Sequence, residues 1–161
     1  MPTLVKIFLL AMTPIGELRA AIPYGVASGI HPLLVYTIAV IGNMIPVFFL
    51  LPIFSALEKL MAHNAAMPPK QARGKNAYSA LMALYAAWRE RTKKRHSKKF
   101  ERLGALALIF FVAIPFPFTG AWSGALAAAI FGIPLKKSAL LIFIGVLIAG
   151  IIVGAISVGL F

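Results

Sequence analysis

The chain has 161 residues, of which 61% are hydrophobic and 12% charged, with a formal net charge of +12. A mean hydropathy of +0.92 places it outside the range of soluble globular domains and marks an integral membrane protein. Having no cysteine, and three histidines far apart in sequence (His31, His63 and His96), it excludes a disulfide framework, a thiol nucleophile and Cys-ligated metals; no cofactor or metal is expected.

Three stretches, 20–57, 103–135 and 138–161, carry no Asp, Glu, Lys or Arg. Each reaches or exceeds the roughly 20 residues that a helix needs to cross about 30 Å of hydrocarbon. In chain order, the first apolar run, Leu4 to Met12, is short. Glu17 and Arg19 follow it instead of a small-residue cleavage site, so it reads as mature structure and not as a signal peptide. "TPIGE" at 13–17 predicts a break, and a second arm ends near "SGIHP" at 28–32. Pro32 suits the first position of a helix and opens a long apolar run that predicts a transmembrane helix over about 32–56.

Twelve of the sixteen Lys and Arg residues lie between 59 and 102. Short, strongly basic loops stay on the cytoplasmic side, which places this segment inside. Tyr78, Leu81, Met82, Tyr85 and Trp88 fall at helical spacing ahead of "RERTKKRHSKK", predicting an interfacial helix whose basic end meets an anionic membrane surface. Aromatic and basic residues are segregated rather than interleaved, which argues against nucleic-acid binding. Pro68, Pro69 and Gly74 mark a connector over 63–76.

Segment 103–135 is too long for one untilted span and too short for two. Pro115, Pro117 and Gly120 in "IPFPFTG" predict a break near 115–120, leaving arms of about a dozen residues, roughly 18 Å each. Pro134 then opens a second long run, predicting a transmembrane helix over about 135–160. The expected fold is all-α: two inverted halves, each a re-entrant helical hairpin followed by a transmembrane helix. The hairpins are expected at about 3–30 and 103–132, and a basic helical loop joins the halves. The divisions are 1–57, 58–102 and 103–161. Lys136 and Lys137 share the face of the basic loop in this arrangement and lie opposite it in a plain four-helix bundle, so the positive-inside bias favours the hairpins. Four ordinary helices with proline kinks remain the competing architecture.

Tips meeting near the midplane would build a polar pocket, because their unpaired backbone groups must face protein or water. The first tip offers Thr13, Glu17 and Arg19, and the second Thr119, Trp122 and Ser123. Each has a plainer role beside this one. Glu17 and Arg19 would snorkel to water; Trp122 would anchor at the interface; Thr119 and Ser123 would cap the helix that starts there; Asn43, within the first span, would bond across to another helix. Gly150 and Gly154 form a small-residue spacing suited to helix contact.

At "PIGELRAAIPYGVASG" and "AIPFPFTGAWSGALAAAIFG" the chain resembles the small multi-drug export protein family, a branch related to the DedA membrane proteins. That resemblance implies paired re-entrant hairpins, inverted halves and translocation of polyprenyl-phosphate carriers or phospholipids with proton coupling. It departs from the DedA pattern in being shorter and in lacking an arginine at the second tip. The resulting expectation is a multi-pass plasma-membrane transporter or flippase of an anionic amphiphile and not an enzyme. Arg19 is assigned to the substrate headgroup, Glu17 to proton coupling, and a homodimer is expected. Two alternatives stand beside it: efflux of hydrophobic cationic drugs with Glu17 as the cation partner, and a scaffold recruiting a partner through its basic loop.

Overall fold

The computed structural model describes residues 2–66, 98–115 and 119–160. Every regular element among them is a helix: α1 (Thr3–Met12), α2 (Glu17–Ala27), α3 (Pro32–Ala66), α4 (Lys98–Ala113), α5 (Ala121–Ile130) and α6 (Leu135–Leu160). The expected interfacial helix and most of the connector before it lie outside the described residues.

Helix lengths follow the breakers. α1, α2 and α5 have 10, 11 and 10 residues, about 15 Å each at 1.5 Å per residue. Two helices are long and apolar enough to cross a membrane, Pro32–Leu60 and Leu135–Leu160. The second has the expected bounds. α3 passes its expected end at 56 and runs to Ala66, because Glu58-Lys59-Leu60-Met61-Ala62 are good helix formers and no breaker precedes Pro68. α4 likewise starts at Lys98, five residues ahead of the apolar segment.

α2 and α5 stop by the same device. Gly29 and Gly132 adopt φ of +77° and +67°, open to glycine without a Cβ penalty. Ile30 N–H donates to Gly25 O at 3.3 Å, and Ile133 N–H to Ala128 O at 2.9 Å, forming Schellman caps. A proline follows each cap, so the strings "GIHP" and "GIP" are two copies of one stop-and-restart signal.

Packing repeats as well. α3 packs against α1 and α2 of its own half and against α5 and α6; α6 packs against α4 and α5 of its own half and against α2 and α3. Gly42 lets α3 approach α1: a Cβ there would lie 2.7 Å from Phe8 O and 3.1 Å from Ala11 Cβ. Gly145 does the same for α6 on α4, where a Cβ would lie 2.6 Å from Val112 Cβ and 3.1 Å from Ile109 O. The long helices are joined by the Tyr36 hydroxyl, which donates to Leu147 O at 3.2 Å, with its ring seated over Gly150.

Small and β-branched side chains fill the interior, among them Ala11, Ala21, Val35, Ala121, Ala125 and Ile142. Large apolar side chains such as Leu33, Phe48, Phe49, Phe110, Leu140 and Ile151 are exposed on the outside. An apolar exterior over a small-residue interior is the pattern of helices packed in lipid.

Gly145→Leu should therefore lower the detergent-solubilised melting temperature sharply, since overpacking costs about 1–3 kcal/mol or more. Gly154, which has nothing within 4 Å of a built Cβ, should accept leucine with little change. The opposite ranking in a thermal melt would contradict this packing.

Candidate functional site

The turn between α1 and α2 is closed locally. Thr13 Oγ1 donates to Leu10 O at 2.7 Å and accepts from Gly16 N–H at 3.0 Å. Thr13 is exposed, and its hydroxyl serves its own turn. Glu17 then begins α2 with φ of +44°, a left-handed conformation that costs a non-glycine residue about 1–2 kcal/mol.

That conformation carries the Glu17 side chain out of its own helix. The residue is buried, at 6% exposure, and its carboxylate reaches the start of α5, where Oε1 accepts the Trp122 N–H at 3.3 Å. The approach is close enough that a Cβ on Gly120, the residue preceding α5, would fall on the carboxylate. Gly120, at the N-cap, has no side chain to bond the first amides of α5, and the acid that meets them comes from another helix. Ser123 Oγ turns back to Gly120 O at 3.4 Å.

Arg19 goes the other way. Its Nη2 donates to Thr119 Oγ1 at 3.1 Å and makes a long approach of 3.5 Å to Ile114 O, just past the end of α4. The Thr119 hydroxyl donates to the same Ile114 carbonyl at 2.8 Å.

The two contacts have one electrostatic logic. A helix that ends at Ala113 leaves unpaired carbonyls and a partial negative charge; one that restarts at Ala121 leaves unpaired amides and a partial positive charge. Residues two apart on a helix do not share a face, so Glu17 and Arg19 can address different targets. The acid meets the positive end of α5 and the base the negative end of α4. This pairing binds the first break to the second, and the plainer reading of both residues as snorkelling charges does not hold for Glu17.

Asn43 is 1% exposed, and its Oδ1 has no hydrogen-bond partner among the described residues. This oxygen makes no bond to another helix among the described residues. Trp122 Nε1 is also buried without a partner, which departs from an anchor at a wet interface. An unpaired buried donor or acceptor costs about 1–3 kcal/mol. Both lie near the breaks. Asn43 follows the Gly42 that packs on Ala11, one residue short of the end of α1; Trp122 is in the first turn of α5.

The structure thus brings Glu17, Arg19, Thr119 and Trp122 together, with Asn43 in the same layer, and leaves Thr13 and Ser123 in local bonds. Sequence reading took Gly120 only as a breaker and missed its close approach to the Glu17 carboxylate and the part of the Ile114 carbonyl. The signal was present in the charges: Glu17 is the sole acid in either apolar half, and α5 starts inside the segment with no acid of its own. No group of three His, Cys, Asp or Glu side chains that could hold a metal occurs among the described residues.

Gly120→Ala and Glu17→Ala should each destabilise the fold by about 1–3 kcal/mol. Because the three atoms nearest the new methyl all belong to the carboxylate that Glu17→Ala removes, the double variant should lose at least about 1 kcal/mol less than the sum. Additive losses in a thermal double-mutant cycle would contradict the contact.

A model of the family described as "Putative small multi-drug export protein" matches residues 17–152, from the first residue of α2 through the second break and into α6. No curated protein and no solved structure matches the chain. With most of its length matched, including Glu17, Arg19, Thr119 and Trp122, the chain belongs to this small multi-drug export protein family of membrane transporters.

Proposed function

We propose that the chain exports hydrophobic cations across the membrane from a polar site at the two helix breaks. Glu17 there exchanges a proton for the positive charge of the substrate. The observation that carries this reading is the Glu17 carboxylate itself. It is the one buried acid among the described side chains, it sits in strained backbone, and its bond from Trp122 N–H is 3.3 Å long. Charge-assisted bonds are ordinarily about 2.7–2.9 Å. A buried carboxylate drawn to the backbone amides of Ala121 and Trp122 can trade those partners for a proton or a cation. The family description names multi-drug export, which agrees with this alternative ahead of lipid translocation.

The site belongs at mid-membrane in this account. Asn43 stands 11 residues beyond Pro32, about 16 Å along α3 and close to half the hydrocarbon thickness. The short apolar helical segments of 10 or 11 residues, Thr3–Met12, Glu17–Ala27, Leu103–Ala113 and Ala121–Ile130, have the reach to enter to that depth and return, which supports α1–α2 and α4–α5 as re-entrant hairpins with one crossing per half. The shared caps at Gly29 and Gly132, the shared close approaches at Gly42 and Gly145, and the exchangeable packing of α3 and α6 support two halves of opposite orientation. Glu17 and Arg19 at the joint link the hairpins, so protonating or engaging Glu17 loosens α5 from α2 and alternates access.

A second reading, translocation of an anionic amphiphile, is favoured by Arg19, which is half-buried with a guanidinium suited to phosphate. Proteoliposomes separate the two. Export of ethidium driven by a pH gradient should fall to the level of protein-free vesicles in Glu17→Gln. Folded Glu17→Gln protein that exports ethidium at the parental rate would sink the proposal, and flipping of a fluorescent anionic phospholipid that is lost with Arg19→Lys would establish the second reading instead.

A further inference from the structure

The carboxylate is one half of the polar layer; Asn43 and Trp122 are the other, and the assignment of Glu17 leaves them unexplained. Among the described residues Asn43 Oδ1 is an acceptor without a donor, on a residue 1% exposed, and Trp122 Nε1 is a donor without an acceptor. Neither improves packing, since leucine and phenylalanine would fill comparable volumes with no unpaired atom. They lie on the two helices that meet across the molecule. Asn43 is on α3 at the depth where α1 ends; Trp122 is in the first turn of α5, which packs along α3. Trp122 also links the uncharged half to the charged one, because its backbone N–H is the amide that Glu17 accepts.

We propose that Asn43 and Trp122 form an uncharged recognition subsite that takes a substrate group able both to donate and to accept a hydrogen bond, a hydroxyl or an amide. Their opposite polarity selects this class. An ammonium group would satisfy Asn43 Oδ1 alone and a phosphate Trp122 Nε1 alone, whereas a hydroxyl or secondary amide satisfies both. Resting on the export reading above, the subsite defines its substrates more narrowly, as hydrophobic cations that carry a neutral hydrogen-bonding arm. A site with an unpaired donor and acceptor discriminates strongly against analogues lacking the matching group, whereas an apolar pocket discriminates weakly.

Two probes that differ by one hydroxyl test it: butyl-triphenylphosphonium and 4-hydroxybutyl-triphenylphosphonium, measured by equilibrium dialysis against the purified full chain with micelle-only blanks. The hydroxylated cation should bind about tenfold tighter. In Asn43→Leu and in Trp122→Phe the ratio should fall to about one. A structural role for Asn43 as a bond between helices predicts a lower melting temperature for Asn43→Leu; the subsite predicts an equal or higher one. Equal affinities for the two cations in the parental protein, or an unchanged ratio in both folded variants, would overturn the subsite. If both cations bind equally and still require Glu17, the subsite fails and the export reading stands; if neither binds, both fail.

Discussion

A helix that stops inside a protein exposes backbone groups that something must bond, and this constraint organises the molecule. The second half breaks between Ala113 and Ala121, leaving carbonyls on one side and amides on the other. The first half supplies one acid and one base, two residues apart, and each finds the end of opposite sign. Glu17 meets the α5 amides at 3.3 Å, and Arg19 meets Thr119 at 3.1 Å beside the Ile114 carbonyl. Both charges of "GELR" thereby meet backbone ends left by the second break, and the left-handed backbone at Glu17 aims the acid across the joint.

The same joint concentrates features that cost free energy. A strained Glu17, and an Asn43 oxygen and a Trp122 indole without partners among the described residues, all lie in the layer of the breaks, while the rest of the described interior is apolar apart from Ser138 and Ser157, whose hydroxyls donate to backbone carbonyls. Departures from local consistency that cluster in one place mark function more reliably than any of them singly. Membership of a small multi-drug export family fits a polar layer enclosed by two apolar helices long enough to cross a membrane.

Much of this was legible in the sequence where a residue type forces a backbone outcome. Prolines and glycines placed the breaks, Gly29 and Gly132 ended α2 and α5, and the uninterrupted run after Pro134 set α6 from Leu135 to Leu160. The end of α3 was less legible because apolarity stops near 57 while helix propensity continues. Partners were legible only in kind. Glu17 and Arg19 were recognisable as a pair with work to do, but that they bond two ends of one broken helix depends on contacts about a hundred residues apart, which local pattern does not encode. Asn43 was legible as a polar residue inside the first span, but what faces its Oδ1 depends on packing that local pattern does not encode.

The account's central claim is that the two breaks meet at the middle of the bilayer, and Trp122 reports on it directly. The chain has two tryptophans, so Trp88→Phe leaves Trp122 as the single fluorophore. In liposomes whose lipids carry bromine at defined acyl positions, quenching of Trp122 should be strongest for bromines nearest the bilayer centre. Strongest quenching by bromines next to the headgroups would put the second break at the membrane surface and would contradict the account.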